Sequence, residues 1–250
     1  MTVQHLGSMT WREVKAFVHE KVVAILPLGS ILAHGPHLPL NTDAVISTEA
    51  ARRAARQLSQ KGVDVLMCPP VAFSPARLGV RFSGTINLSK EAYGSVLMNL
   101  IDEIGGMGVR TACLVTCHVD PAHLEVLRQV VAEYGKGGKI RVLFPDLTQE
   151  PWLSRMPEEF RRGGAHGGRC ETASILSLQE DKVREEIRKR LAKVEANLEQ
   201  AVREGKTHYA ECGGLQAYFG DPASATPADG EQYLDTLAGI VADIVALGRA

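Results

Sequence analysis

The sequence predicts a single-domain, three-layer α/β/α protein over residues 1–250, with helices on both faces of a mainly parallel sheet. Two observations support this prediction. Short β-branched apolar runs alternate with stretches whose apolar residues recur at helical spacing, which is typical of strands followed by crossover helices. The 250 residues, 45% of them hydrophobic, are also enough for one large core.

The predicted elements follow one another in regular alternation. The strands are short runs rich in Val, Ile and Leu, and they lie at 21–28, 63–71, 109–117 and 139–146. The helices carry apolar residues three and four positions apart, and they lie at 43–60, 90–108, 121–135 and 231–248. Paired prolines end the second strand, and paired glycines, Gly105 and Gly106, stop the second helix. Because such crossovers are right-handed, the strands should form one parallel sheet.

The segment 179–204 differs from the rest of the chain. It is rich in Lys, Arg and Glu, and its apolar residues are too sparse for a wide stripe that could face a core. We therefore expect an exposed helical excursion with a solvated, charged face.

Composition limits the partners and the compartment. The formal net charge of −1 gives no basis for binding nucleic acid or an anionic membrane, so the expected partner is a small molecule. The five cysteines are odd in number and widely spaced, which favours reduced thiols over a disulfide framework. No run approaches the roughly 20 apolar residues of a membrane span, and the N-terminus lacks a signal-peptide pattern, so we expect a cytoplasmic protein.

Polar residues that could bind a metal follow the predicted strands. In an open α/β sheet, ligands bind at the carboxyl ends of the strands, so residues directly after a strand are the first candidates for function. The candidates are histidines and acids in three groups: His34, His37 and Asp43; His118 and Asp120; and His166 and Glu171. The loop LGVRFSGTINL at 78–88 is a fourth candidate region.

Two of these groups, His34 with Asp43 and His118 with Asp120, combine a histidine with an aspartate, as metal sites do. His118 and Asp120 leave a strand end on the same side, because strand side chains alternate with period two, and the pair could share one cation. Imidazole nitrogen and carboxylate oxygen suit zinc, manganese or iron. Residue type alone leaves two other interpretations open: Asp43 as a helix N-cap, and His118 as a loop histidine with its own hydrogen bonds.

Four segments resemble the creatininase (creatinine amidohydrolase) family along almost the whole chain. GSILAHGPHLPLNTD at 29–43 resembles the family signature Glu-Gln-His-Gly-Pro-His-Leu-Pro with a following Thr-Asp, which is a highly specific motif. Three later segments of this chain also resemble family segments: FSGTINLS at 82–89, AHGGRCETASIL at 165–176 and GDPASATPADGEQYL at 220–234.

The resemblance implies a creatininase-like α/β fold, a homo-oligomer that is a hexamer by family likeness, and hydrolysis of C–N bonds in cyclic or linear amides with a pair of divalent ions. It implies that His34 and Asp43 are metal ligands, with Asp43 bridging the two ions. His118 matches a further ligand. Asp120 would replace a family glutamate with a shorter arm.

The resemblance also implies roles next to the metal. His166 matches a histidine that assists proton transfer, and Glu171 matches an acid that supports the site from the next turn. His37 would either face the substrate or lock the loop. Arg81 or Arg77 could hold a substrate carboxylate, which is an inference from charge alone.

The chain departs from the family at one ligand. Leu32 stands two residues before His34, where the family has a glutamate that binds one of the two ions, and a leucine cannot bind a metal. The turn TCHVDP at 116–121 also replaces the family's Asn-Gly-His-Gly-Gly-Asn. The remaining ligands predict one ion held by His34, Asp43 and Asp120, with zinc expected first and manganese or iron as alternatives.

The sequence thus predicts a metal-dependent amidohydrolase with one altered metal site. The alternative is a non-hydrolytic or non-catalytic homologue that uses the pocket for another reaction or for ligand binding. Cys117 and Cys170 adjoin His118 and Glu171, so a thiolate could replace the lost glutamate, although a buried cysteine most often acts as a small hydrophobe.

Overall fold

Five strands form one parallel sheet in the computed structural model, which describes residues 1–137, 139–163, 166–195 and 198–249. The strands are β1 Val3–His5, β2 Val23–Leu28, β3 Val65–Met67, β4 Thr111–Thr116 and β5 Arg141–Leu143. Their order in the sheet is β1-β3-β2-β4-β5. β2 and β4 pair along six residues, from Val23 opposite Thr111 to Leu28 opposite Thr116, so both strands end at the same level.

Helices cover both faces of the sheet. They are α1 Trp11–Phe17, α2 Thr42–Gln60, α3 Lys90–Gly106, α4 Pro121–Tyr134, α5 Glu158–Arg161, α6 Arg169–Gln179, α7 Glu185–Arg188, α8 Leu198–Arg203 and α9 Pro227–Arg249. α2, α6 and α9 pack together on one face, and α3 packs against α4 on the other. Within the described ranges, no helix is both long and apolar enough to cross a membrane.

The central strand divides the core in two. Val23 and Ile25 pack with the α2, α6 and α9 side, whereas Ala24 and Leu26 pack with the α3 and α4 side. Every residue of β2 is buried, which is why this strand is apolar without alternation. The layered α/β fold with a parallel sheet predicted from the sequence is therefore confirmed.

Several element boundaries differ from the predictions. Only three residues of each of the strands predicted at 63–71 and 139–146 form β3 and β5, because prolines and polar residues leave the sheet early, and Val71 then makes an isolated bridge to Leu28. β1 and α1 were not predicted as elements, because both are short.

The segment 179–204, whose described part leaves out residues 196 and 197, is largely exposed as predicted, but the prediction of one helical excursion is wrong. It contains the short helices α7 and α8 joined by irregular backbone. Arg188 is buried, and its guanidinium donates hydrogen bonds at 2.8 Å to the carbonyl oxygens of Pro222 and Ala223. Its remaining N–H groups bind Glu185. A paired, buried arginine thus holds this segment against the chain before α9, which a count of charges does not reveal.

α6 and α9 cross closely at Gly230. A Cβ atom at this position would overlap the backbone carbonyl of Ala173 on α6, and backbone cannot move aside as a side chain can. We expect Gly230→Ala to destabilise the protein by about 2 kcal/mol or more, seen as a fall in Tm of about 5 °C or more.

The matched control is Gly106→Ala at the end of α3, where a Cβ atom meets nothing within 4 Å. This substitution should be neutral or stabilising by up to about 1 kcal/mol, because alanine is the better helix former. Equal Tm values for the two variants would contradict the close crossing.

Candidate metal centre

Three buried side chains meet at the carboxyl edge of the sheet. His34 lies in the loop after β2, His118 lies two residues after the end of β4, and Asp43 lies in the first turn of α2. Because β2 and β4 are neighbours that end in register, their following loops converge. All three side chains are at most 3% exposed.

The carboxylate of Asp43 lies between the two imidazoles. Its Oδ1 is 3.1 Å from His34 Nε2, and its Oδ2 is 3.0 Å from His118 Nδ1. Oδ2 receives no aligned hydrogen bond from any described residue despite this short distance. The N-cap interpretation of Asp43 is not what the structure shows, because Asn41 occupies the N-cap position of α2.

Both imidazoles are held from behind by backbone carbonyls. His34 Nδ1 is 2.8 Å from the oxygen of Leu32, and His118 Nε2 is 2.8 Å from the oxygen of Pro75. A carbonyl only accepts, so each of these ring nitrogens donates its N–H there. In a neutral ring the other nitrogen then points a lone pair at Asp43, which is favourable only if a cation lies between them. A carbonyl behind each ring is the usual support of metal-binding histidines.

When no metal is bound, protons on the imidazoles supply the positive charge that Asp43 requires. Burial alone would lower the pKa of His34, but the charges of Asp43 and Glu171 raise it to about 9. The pKa of Asp43 is held well below its ordinary value by His34 and His118, against the opposing effect of burial. The donor set of two imidazoles and a carboxylate therefore fits a divalent cation, which would replace these protons.

Glu171 closes the His34 side of the site. It lies in the first turn of α6, and its Oε2 is 3.7 Å from His34 Nε2 and accepts a 2.7 Å hydrogen bond from Gly167 N. Burial raises its pKa to about 7. His34, His166 and Glu171 offer ligand atoms that all lie within 4.8 Å of one another.

His166 is a neutral ring beside this cluster. Its Nε2 is 2.9 Å from the carbonyl oxygen of Ala33, and its ring lies between the ring of His34, 4.3 Å away, and the stacked ring of Tyr209, 4.4 Å away. Burial, together with the nearby charge of His34, lowers its pKa well below the ordinary value. Ala165, which precedes it in the family-like motif, lies outside the described residues.

Asp120 is engaged elsewhere. Its Oδ1 accepts a 2.9 Å hydrogen bond from Ala122 N as the N-cap of α4, and Leu78 N lies 3.4 Å from its Oδ2. It lines the same small cavity as Asp43 and His118. Among the described residues it is in none of the clusters whose ligand atoms lie within 4.8 Å of one another. Its role as a ligand of the His34 ion stays a prediction.

The two predicted substrate residues lie apart from the cluster. His37 is buried with its Nε2 2.8 Å from Thr172 Oγ1 on α6, so it fastens the loop after β2 to that helix. Arg81 is exposed at the surface, 3.9 Å from Glu211. The structure therefore does not bring Arg81 to the buried site, and the roles of both residues stay predictions.

Leu32 packs with two apolar residues that line the site, Leu78 and Tyr209. Leu32 is fully buried in a cluster with Leu78, Phe219 and Tyr209. Leu78 and Tyr209 also line a cavity of about 10 Å³ with the polar residues of the site. That volume accommodates about one water-sized group. Sequence reasoning missed Tyr209, because no repeat or motif marks it and it reaches the site from a loop far along the chain.

A parallel α/β sheet with a buried His/Asp/Glu cluster at its carboxyl edge defines a protein with a candidate metal centre. Residues 7–245 match the creatininase family, described as creatinine amidohydrolase. A mycofactocin precursor peptide peptidase of Mycobacterium tuberculosis is 30% identical over 223 residues, which cover 83% of this chain and 78% of the peptidase. The chain therefore belongs to the creatininase family, and the predicted resemblance is confirmed.

Two further relatives agree with this assignment. The creatinine amidohydrolase of Pseudomonas putida is 26% identical over 189 residues, which cover 71% of this chain and 73% of that protein. A crystal structure of a creatinine amidohydrolase superposes with a TM-score of 0.76 at 23% identity, over 98% of this chain and 96% of the other, and shows the same fold. One of the curated relatives is a peptidase and the other an amidohydrolase, so both are hydrolases.

We expect chelator-treated protein to lose stability as the pH rises from about 7 to about 9. The folded-state pKa of His34, about 9, exceeds the ordinary 6.5, so its stabilising effect is complete below pH 6.5 and is lost as the pH rises through 9. This difference corresponds to roughly 3 kcal/mol. Glu171, whose pKa is raised to about 7, causes a loss of the same sign as the pH rises toward 7, so its effect is largely complete where this pH range begins. Tm measured across this pH range tests the expectation.

Two controls identify the cause of the fall in Tm with rising pH. Asp43→Asn should make Tm less dependent on pH, because the main charge that holds the proton on His34 is gone. Saturating zinc should do so as well, because the cation takes the place of the protons. A chelated protein with constant Tm from about pH 7 to about pH 9 would refute the coupling between His34 and Asp43.

Proposed function

We propose that the protein is a metal-dependent hydrolase that cleaves a C–N bond of a small cyclic or linear amide, including a peptide amide. The observation that carries this proposal is the buried carboxylate of Asp43 between two imidazoles whose far nitrogens are bound by carbonyls. The peptidase and amidohydrolase relatives support the bond type, since both names denote hydrolysis of an amide.

One divalent ion is proposed to bind at Asp43 Oδ1. His34 Nε2 lies 3.1 Å from that oxygen and Glu171 Oε2 lies 3.7 Å from His34, so these three side chains form its nearest donors. Glu171 thus takes the place that the sequence-based prediction assigned to Asp120. When bound, the ion supplies Lewis acidity toward the amide carbonyl and makes water a better nucleophile near neutral pH.

The Oδ2 side of Asp43 has fewer donors. His118 approaches this oxygen. The family's glutamate ligand of the ion on this side is replaced here by the apolar Leu32. A single nitrogen beside a shared carboxylate is a poor site for a second ion. His118 is instead proposed to fix the orientation of Asp43, because it is itself held by Pro75.

His166 is the proposed carrier of the proton. Its Nε2 donates to Ala33, so its Nδ1 has a free lone pair, and the lowered pKa keeps the ring neutral before reaction. A neutral ring can accept a proton from the attacking water at Nδ1 and deliver it to the leaving nitrogen. Stacking on Tyr209 and the approach of His34 restrict the ring to this orientation.

We expect protein purified without chelator to contain roughly one zinc, manganese or iron ion per chain. His34→Ala should lose both the ion and the hydrolysis of amides, lactams or peptides. The matched control is His19→Ala, because His19 also faces an aspartate, Asp64 at 3.4 Å, but at the surface. Metal content by inductively coupled plasma mass spectrometry and an amidase screen measure both properties.

Two outcomes would refute the proposal. One is a metal-loaded wild-type protein that hydrolyses no amide in the screen. The other is a His34→Ala variant that retains full hydrolysis. In either case the alternative of a non-hydrolytic homologue would account better for the chain.

We expect Glu171→Gln to weaken zinc binding at least about tenfold, which is the range seen when a group supporting a metal site is removed. Asp120→Asn should leave zinc affinity little changed, because asparagine keeps the N-cap of α4. Competition with a chromophoric chelator measures both dissociation constants. A larger loss of affinity in Asp120→Asn than in Glu171→Gln would restore the sequence-based ligand assignment.

A further inference from the structure

Cys117 brings a sulfur atom to the proposed ion position. It directly follows β4 and is 2% exposed. Its Sγ is 3.8 Å from Asp43 Oδ1, the same oxygen that faces His34. Ligand atoms of Asp43, Cys117 and Glu171 all lie within 4.8 Å of one another.

The orientation of this thiol is set by α2. Cys117 N donates a 3.0 Å hydrogen bond to Ser47 Oγ, one turn after Asp43, and that hydroxyl lies 3.5 Å from the sulfur. The sulfur is also 3.5 Å from the backbone oxygen of Asp43. Contacts from both residues hold the sulfur at the beginning of α2, next to the carboxylate.

Cys68 shows what an ordinary buried cysteine looks like in this fold. It directly follows β3, just as Cys117 follows β4, and it is also buried. Among the described residues, Cys68 belongs to no group of ligand atoms that lie within 4.8 Å of one another, whereas Cys117 belongs to such a group with Asp43 and Glu171. Both cysteines directly follow a strand of the sheet, and the sulfur of Cys117 lies beside the carboxylates of Asp43 and Glu171.

We propose that Cys117 binds the divalent ion through its thiolate, beside Asp43 and Glu171, and supplies the negative ligand that the chain lacks at Leu32. The proposal rests on the proposed metal site. The replacement is not positional, because Leu32 belongs to the apolar cluster with Leu78, Tyr209 and Phe219, whereas Cys117 belongs to the cluster under α2, α6 and α9. The thiolate of Cys117 would add a negative ligand at the ion position beside Asp43 Oδ1. The family's glutamate at Leu32 would have served the other ion position, beside Oδ2.

Binding of the ion by Cys117 releases one proton. The S–H bond of Cys117 breaks, the proton leaves to solvent, and a sulfur–metal bond forms. Sulfur ligands favour zinc and cobalt over manganese and magnesium, which prefer oxygen. The proposal thus makes zinc the metal that this chain selects.

Cobalt(II) tests the ligand set by its absorption spectrum. Cobalt bound through a thiolate shows a sulfur-to-metal charge-transfer band in the near ultraviolet, in addition to the visible bands that any bound cobalt shows. We expect both in the full-length wild-type protein. In Cys117→Ser the charge-transfer band should disappear while the visible bands remain, and zinc affinity should fall at least about tenfold.

Controls separate the possible failures. Cys68→Ser should keep the charge-transfer band, and the Tm of each variant shows that it folds. Visible bands without a charge-transfer band in the wild type would overturn the thiolate ligand and leave the proposed hydrolase site intact. A charge-transfer band that persists in Cys117→Ser would assign it to another cysteine and overturn the proposal. Absence of bound cobalt and zinc would overturn both proposals.

Discussion

The buried carboxylate of Asp43 is the constraint around which the site is built. Burying a carboxylate that is only 1% exposed lowers the stability of the folded state by several kcal/mol unless positive or hydrogen-bonding groups surround it. His34 and His118 provide these groups, and each ring is held in turn by a backbone carbonyl, that of Leu32 in the same loop for His34 and that of Pro75 in another loop for His118. The paths of those loops are therefore tied to one carboxylate. Two protons or a divalent ion can satisfy the same arrangement, which links the stability of the protein to its chemistry.

The parallel sheet determines where such a carboxylate can be placed. β2 and β4 end side by side, so the loops that carry His34 and His118 meet above the sheet. α2 and α6 both begin there, with Asp43 and Glu171 in their first turns, where the backbone N–H groups favour negative charge. Acids and imidazoles thus come from four different segments, and their meeting point is a property of the topology.

The surroundings of the two oxygens of Asp43 are unequal. Oδ1 faces His34 and the sulfur of Cys117, whereas Oδ2 faces His118 without an aligned hydrogen bond from a described residue. Leu32 belongs to an apolar cluster with Tyr209, where the family has an acid in its signature. Burying a carboxylate beside that cluster without a second ion would cost free energy, so loss of the acid and the apolar packing are consistent with each other. This inequality is the basis for the proposal that one ion binds.

Local sequence patterns determined the layered α/β fold, most of its long helices and the candidate ligands, because periodicity and the placement of polar residues after strands are properties of neighbouring residues. The missing acid at Leu32 followed from the resemblance of residues 29–43 to the family signature. The partners of each ligand were decided by tertiary structure. Whether Glu171 or Asp120 lies nearest to His34 depends on how α6 and α4 begin, and the contact between Cys117 and Asp43 joins residues 74 positions apart. Such distances depend on the packing of whole elements, which no local pattern encodes.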